Sequence, residues 1–369
     1  MALLFVSTFP PFECGIATYT KYLVDELIEN GEKIIVFTER SQNYSGKNLE
    51  VKNVYDRNGN FASDILKAVV ELPETPEIIH FQHAPDLFPD NAAFISLLKS
   101  LSEKNIPIAV TLHTVYDDEK NKQFYSEILK YAHIVVHNDI CRKILGNHDK
   151  VSVIFHGTLL MRKNPDREEL RRSIGFSEQD VVFLFAGFIH LQKNLHTAVR
   201  AFRQLHSKNR SLKLIVAGRP GGNRWYNKLY LGLCKILGAG SEIKWDIAFI
   251  ENKKLEEYMQ ASDIVLLPYW QKYASASGIF HLTIGAGKPF ICSDSAKFDE
   301  IKKIINDIPV FVPAMSVNKW KSSMKLLAEN TETRKKAEQK IISYAEQTSW
   351  KNAAKMHQTF YKTIKEGEN

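Results

Sequence analysis

Two consecutive doubly wound α/β domains, with a ligand crevice between them, are the fold the sequence predicts. Three observations carry this. Short apolar runs of strand length recur, most followed by a segment whose apolar residues fall at helical spacing. The rhythm breaks at a polar, highly charged stretch, Met161 to Glu169, and then restarts, as it would across a domain linker. At 369 residues the chain is long for one core and suits two domains of ordinary size.

The first half opens with a strand at Leu3 to Ser7 and the loop Thr8 to Gly15. Ile16 to Asn30 places Ile16, Tyr19, Leu23 and Leu27 on one helical stripe and stops at Gly31. Lys33 to Thr38 is the next strand. Gly15 at the helix entrance would let a ligand approach the backbone, although most single glycines are only turn residues. Four further strands end in histidine: Ile78 to His83, which also carries His80 and Gln82, Ile106 to Thr114 with His113, Ile134 to His137, and Val151 to Gly157 with His156. The carboxyl ends of parallel strands face the ligand crevice of such a sheet. One such histidine is more often a satisfied structural group, and His137 is read that way. The second half has strands at Val181 to Ala186 and Leu212 to Ala217, the latter leading into Gly218-Arg219-Pro220. A loop with Lys193 precedes a helix over Leu195 to Leu205. Glu242 to Trp245 and Val310 to Val312 read as strands, Asn252 to Gln260 and Lys297 to Ile305 as helices, and Ser316 to Thr363 as largely helical.

The most informative stretch is Ser262 to Asp294. A buried strand, Ile264 to Pro268, is followed by a polar loop ending in Ser275-Ala276-Ser277-Gly278. A helix from Ile279 to Ala286 stops at Gly287-Lys288-Pro289, and Phe290 to Cys292 is the next strand. A helix entrance built of small residues exposes backbone N–H groups and the positive end of the helix dipole, a setting for phosphate. Most strand-to-helix loops bind nothing, so the wider pattern matters. Ligand groups are expected from the first domain at Gly15, His80, Gln82, His83 and His113, and from the second at Lys193, Arg219, Ser277 and Gly278.

Composition narrows the class. Apolar residues make up 44% of the chain, which suits a packed protein. No uninterrupted apolar run reaches membrane-spanning length, and the first residues read as a strand rather than a signal peptide. Cys14, Cys141, Cys234 and Cys292 are scattered with no CxxC pair, so neither a metal site nor a disulfide scaffold is expected, and a cytoplasmic setting fits. The net charge of +7 points to a phosphorylated ligand or an anionic lipid surface; no basic-aromatic signature supports nucleic acid. Contact at the inner face of a membrane is permitted, though no amphipathic basic helix stands out.

The ordered pieces resemble the nucleotide-sugar glycosyltransferases of the GT-B fold, family four. FPPFECGIATYTKYLVDEL looks like the family's first glycine loop and helix, VSVIFHGT like its domain junction, and FAGFIHLQKNLHTAVRAF like its donor loop. ASDIVLLPY followed by SGIFHLTIGAGKPFICSD resembles the donor-phosphate loop, and TSWKNAAKMHQTFYK the terminal helix that returns to the first domain. The resemblance implies two Rossmann-like domains facing a central cleft: residues 1–165 on the acceptor side, 166–349 binding the donor, and 350–369 as the returning helix. It implies transfer of a hexosyl group from a nucleoside diphosphate sugar to a glycan, glycolipid or other hydroxyl acceptor, with retention and without a metal cofactor. His113 and Lys193 would be catalytic. Gly15, His156, Gly187, Lys193, Arg219, Ser277, Gly278 and Ile279 would bind donor, and His80, Gln82 and His83 would line the acceptor side. The family's paired glutamates are replaced by Ala274 and Leu282, and its donor-loop arginine by Phe188, so the chain looks like a Ser-Gly variant of the family. That departure keeps two other readings open: a non-catalytic nucleotide- or glycan-binding partner subunit, and a sugar-nucleotide epimerase of the same fold.

Overall fold

A computed structural model describes residues 2–39, 43–161, 166–221, 225–270, 275–308 and 310–367. The chain divides into two compact units. Unit 1 comprises Met1–Gly157, Tyr273–Gly278 and Thr348–Asn369; unit 2 comprises Thr158–Lys272 and Ile279–Gln347.

In unit 1 the strands are β1 (Leu3–Val6), β2 (Ile34–Thr38), β3 (Tyr44–Gly46), β4 (Leu49–Asn53), β5 (Ile78–His83), β6 (Ile108–Leu112), β7 (His133–Val136) and β8 (Val151–Val153). The helices between them are α1 (Gly15–Glu29), α2 (Phe61–Val70), α3 (Asn91–Ser102), α4 (Glu119–Tyr131) and α5 (Asp139–Ile144). The strand order is β3-β4-β2-β1-β5-β6-β7-β8, parallel except for the β3–β4 pair. β1 lies between β2 and β5, so the order reverses there and a crevice opens at its carboxyl end. Residues Leu3 to Val6 are all buried, which is why β1 reads as an unbroken apolar run.

In unit 2, α6 (Arg167–Ser173) precedes β9 (Val181–Ala186), α7 (Leu195–His206), β10 (Leu212–Ala217), α8 (Trp225–Leu237), β11 (Ile243–Asp246), α9 (Asn252–Ala261) and β12 (Ile264–Leu267). Then come α10 (Gly278–Gly285), whose residues from Ile279 on belong to this unit, β13 (Phe290–Ser293), α11 (Asp299–Ile304), β14 (Phe311–Val312), α12 (Val317–Glu329) and α13 (Thr331–Gln347). The order β11-β10-β9-β12-β13-β14 is parallel throughout. Its reversal falls at β9, between β10 and β12.

Two segments settle differently from the sequence reading. Unit 1 pauses at Gly157 rather than at 165. The reason is local: Thr158 Oγ1 lies 2.9 Å from His281 Nδ1, and Met161 N donates to Gly285 O over 2.9 Å. A Cβ on Gly285 would come within 2.0 Å of Leu159 O, so glycine lets the linker lie directly on α10. The chain rejoins unit 1 from Thr348, and the C-terminal helix, Trp350–Glu366, lies against α1. Gln358 bonds Asn30 and Glu32, and Lys365 pairs with Glu77 at 2.7 Å.

A buried clasp ties α6 to the sheet of unit 2. Asp263, just before β12, accepts from Arg167 and Arg171 at 2.6 Å each and from Val182 N at 2.8 Å. Arg171 also donates to the carbonyls of Ala261 and Asp180 at 2.9 Å. Its side chain is only 1% exposed, so its charge depends on this one carboxylate and the carbonyl cage. Asp263→Ala should therefore cost about 3–5 kcal/mol by stranding a buried guanidinium. Chemical denaturation followed by circular dichroism checks this; a loss under about 1 kcal/mol would mean the carbonyls alone suffice.

Candidate functional site

In unit 2 the carboxyl ends of β9 and β10 come into backbone contact. Gly187 has φ +106° and Gly218 φ +148°, and a Cβ on Gly218 would fall 1.9 Å from Gly187 O. Only glycine allows this approach. Gly187 N donates to Ala217 O over 2.9 Å and Ile189 N to Arg219 O over 2.8 Å, stitching the two loops together. Ile279 closes on the same spot, since a Cβ on Gly187 would meet its Cγ1 at 3.2 Å.

Lys193 closes a 3-10 turn, Leu191–Lys193, ahead of α7. The next residue, Asn194, is buried and left-handed at φ +53°. Its amide donates to Ala314 O at 2.6 Å and its Oδ1 accepts from Thr197 Oγ1 at 2.8 Å. This anchors the turn, an example of asparagine tolerating a conformation other residues avoid. Lys193 Nζ then sits 3.4 Å from the centre of the Tyr269 ring, a cation–π contact. Lys297 Nζ lies 5.8 Å from the same ring. Burial, and then the positive charge of Lys297, pull the Lys193 ammonium well below the ordinary lysine pKa. Burial and the two lysines also hold His190 at about 4. Arg219 stacks its guanidinium 5.8 Å from Phe188 and 5.1 Å from Phe249. The result is a group of cations at strand ends lined by aromatic rings, able to take a diphosphate and a flat base.

The loop residues expected at the helix entrance divide. Ala274 lies outside the described residues. Ser277 is buried and Gly278 exposed at the first position of α10, where a Cβ would meet nothing within 4 Å. Both group with unit 1. Leu282 packs, half-buried, against the core of unit 2, so its position carries no carboxylate.

In unit 1 the strand-end residues also divide. Gly15 is exposed at the head of α1, whose N-cap is the Cys14 thiol, accepting from Ala17 N at 3.3 Å. Gln82 is buried; its Oε1 lies 2.8 Å from His113 Nε2. The carbonyl oxygen accepts, so Nε2 carries the proton and Nδ1 of His113 keeps a lone pair. His113 is half-buried, and burial with the nearby His137, His156, His80 and His83 lowers its pKa well below 6.5, keeping it neutral. Tyr19 sits at the centre of this group, 4.7 Å from His113, 5.3 Å from His137, 5.1 Å from His156 and 4.9 Å from Trp350 between ring centroids. His156 Nδ1 bonds Gly157 O at 2.8 Å, and a Cβ on Gly157 would land 2.1 Å from the Trp350 ring.

Two expected acceptor-side groups are corrected. His80 is 1% exposed, with Nδ1 2.6 Å from Tyr361 Oη and Nε2 2.7 Å from Thr111 Oγ1. The C-terminal helix covers it and both nitrogens are occupied. His83 is wedged among Phe94, Phe124 and Phe88 at centroid distances of 4.8, 5.4 and 5.7 Å, and burial holds it at about 3. It packs as a neutral aromatic ring. Sequence reading missed Tyr269 and the pair formed by buried Glu39, just after β2, with Arg57. That arginine also donates to Asp86 O at 2.7 Å and lies 5.1 Å from the Phe12 ring of the first glycine loop. The acid directly following an apolar strand was the available signal for the second.

Comparison with known proteins decides the class. Residues 166–347 match the glycosyl transferases group 1 family. That stretch of the chain is a glycosyl transferases group 1 domain, and the fold is GT-B. An uncharacterized glycosyltransferase of Methanocaldococcus jannaschii is 27% identical over 185 residues, covering 47% of this chain and 44% of that protein. The match thus spans less than half of this curated relative. The solved sucrose-phosphate synthase of Thermosynechococcus elongatus superposes with TM-score 0.80 at 14% identity, covering 99% of each chain. The Anabaena protein HepE in complex with UDP superposes with TM-score 0.74 at 14% identity, covering 98% of this chain and all of that one. In this group 1 glycosyltransferase domain, the cation cluster lies at the carboxyl ends of the central strands.

The imidazoles of unit 1 generate a pH prediction. Burial depresses His83 and His156 to about 3, and His137 and His357 to about 4. The unfolded chain binds protons near the ordinary histidine pKa of about 6.5 while the folded one stays neutral, so stability should be full above that value and fall as pH drops toward 4. Melting temperatures from pH 7.5 to 4.5 check this; a flat profile would show these rings to be solvated.

Proposed function

We propose that the chain transfers a hexosyl group from a nucleoside diphosphate sugar to a hydroxyl acceptor, a glycan or glycolipid, with retention of anomeric configuration and without a metal. The observation that carries the reading is Lys193: a half-buried ammonium against the Tyr269 ring whose neighbouring charge is another cation, Lys297, in a group 1 glycosyltransferase domain. A half-buried cation with no carboxylate partner among the described residues is costly, and a diphosphate would offset that cost. Charge growing on the leaving diphosphate would be met by Lys193, Lys297 and Arg219, and by backbone N–H groups at the entrance of α10. His113, neutral with Nδ1 free to accept, is assigned the positioning of a sugar hydroxyl rather than the role of a base. Arg57, beside the loop that precedes Gly15, is a candidate for acceptor recognition.

A second reading, a partner subunit that binds nucleotide or glycan without turnover, draws on Leu282, an apolar residue packed where the family usually places a glutamate. Incubation of the purified chain with uridine, guanosine and adenosine diphosphate sugars, with and without glycan acceptors, separates the two. Transfer product supports the transferase. Donor binding without product in any pairing favours the partner subunit. His113→Ala should lower turnover far more than donor affinity.

Lys193→Ala should weaken nucleoside diphosphate binding by about 1.5–3 kcal/mol, the worth of a charge-assisted contact. Because the free ammonium has a lowered pKa and phosphate would raise it, binding should take up a proton, and affinity should fall as pH rises between those two values. Calorimetry in buffers of different ionisation enthalpy measures the uptake. Unchanged affinity in the variant would remove Lys193 from the site.

A further inference from the structure

α8 turns two unlike faces outward and inward. Asn227, Tyr230, Leu231 and Cys234 are buried. The opposite side exposes Trp225 (71%), Leu229 (63%), Leu233 (49%) and Ile236 (71%), with Tyr226 beside the tryptophan. Positions 225, 229, 233 and 236 are spaced four, four and three apart, so they form one stripe along a helix about 20 Å long. Large exposed apolar side chains occur singly on most surfaces, whereas a continuous stripe marks a contact surface.

The charge around the stripe identifies what it contacts. Lys228 and Lys235 are exposed on the same helix, which contains no acid. From Val181 to Ser241 the sequence has no Asp or Glu at all, against five lysines and five arginines. α7, joined to α8 by the bond between Arg203 and Leu237 O and by the bond of His196 to Tyr230 Oη, exposes Arg200 and Arg203 beside it. A second copy of the chain docking through α8 would set lysine against lysine with no acid to pair them. The core of a protein interface is depleted in lysine, while a headgroup layer accepts apolar side chains and cations on one face. Tryptophan and tyrosine at one end of the helix suit the same boundary. No described helix is long and apolar enough to cross a membrane, so the contact is peripheral.

We propose that the outer face of α8 is a docking surface for an anionic lipid bilayer, with Trp225, Leu229, Leu233 and Ile236 entering the headgroup boundary and Lys228, Lys235, Arg200 and Arg203 meeting lipid phosphates. The helix lies in the plane of the interface, its apolar stripe reaching about 5–10 Å into it.

Flotation of the purified full chain with vesicles of phosphatidylcholine containing phosphatidylglycerol, and with vesicles of phosphatidylcholine alone, tests this. The expected result is binding to the anionic vesicles, weakened by salt, with little binding to neutral ones. The Leu229→Ser, Leu233→Ser, Ile236→Ser triple variant should bind about a hundredfold or more weakly, because three exposed aliphatics no longer transfer into the headgroup boundary. The Lys228→Glu, Lys235→Glu double variant, which leaves the stripe intact, should lose a similar factor. Circular dichroism confirms folding of each. Failure of the wild type to float with anionic vesicles overturns the proposal, as does unaltered binding by both variants. Concentration-dependent dimerisation abolished by the triple variant, without vesicle binding, would assign the stripe to a second copy. Capture of an acidic protein on the stripe, again without vesicle binding, would assign it to a protein partner.

Discussion

Parallel pairing is the constraint on which each unit depends. Strands joined by helices must all run the same way, so their carboxyl ends open along one edge of the sheet and their side chains are buried on both faces. Every β–β pair except β3–β4 obeys this. The consequence is that any chemistry must come from residues just past a strand's last apolar position. His113, Arg219 and Tyr269 stand there, and Lys193 follows β9 on the short turn Leu191–Lys193. In unit 2 the constraint is tightened by glycine, because strands β9 and β10 touch through Gly187 and Gly218 and leave no room for side chains between them. The first polar groups beyond that contact are backbone N–H groups and cations.

The two units use burial in opposite ways. In unit 1 it silences histidines. Desolvation keeps the group around Tyr19 neutral, and apart from half-buried His113 it serves as aromatic packing under the C-terminal helix, with Trp350 lying on Gly157 and Tyr361 on His80. In unit 2 Lys193 is a half-buried titratable group. Its ammonium has a ring face and a second cation nearby, an arrangement that stabilises the charged form poorly without an anion. A structural lysine looks different: Lys288, in the same unit, is also depressed, to about 8, yet it donates to the carbonyls of Gln260 and Ser262 at 3.1 and 3.0 Å. The two lysines thus differ in what faces their charge: carbonyl oxygens for Lys288, an aromatic ring for Lys193.

Much of the framework was legible because long apolar runs leave few choices. Val181–Ala186 and Leu212–Ala217 are strands over the residues read from the sequence, α7 runs one residue further at its end, and α1 is shifted by one residue at both ends. The sequence could not separate one strand-end histidine from another. His80, His83 and His113 share the same local pattern, yet two are sealed beneath other elements and one is half-open. What decides is tertiary: the C-terminal helix arrives from more than 260 residues away in sequence to cover His80, while α3 and α4 supply Phe94 and Phe124 to His83. Glu39 and Arg57 were invisible for the same reason, since their partnership spans 18 residues and two strands. α8 escaped notice because large apolar residues lie on both its faces; periodicity has little contrast to find when both carry Leu and Tyr.

That lack of contrast is itself informative. A helix whose inner face already fills a core gains nothing from a second apolar face in water, and exposed Trp225, Leu229 and Ile236 raise the risk of aggregation. Nor is the surrounding charge accidental in its effect: the stretch has no acids of its own, and of its lysines Lys213 is paired by Asp180 and Glu242 from outside it. The same stretch supplies Lys193 and Arg219 at the strand ends. One compositional bias therefore produces two kinds of anion-seeking surface that differ in burial. Around Lys193 the charge is half-buried and partly suppressed, a setting that would suit the small anion proposed above. On α8 it is exposed and fully hydrated, where single contacts are weak and only an extended array of phosphates gives appreciable binding. Burial, rather than sequence, separates the two roles.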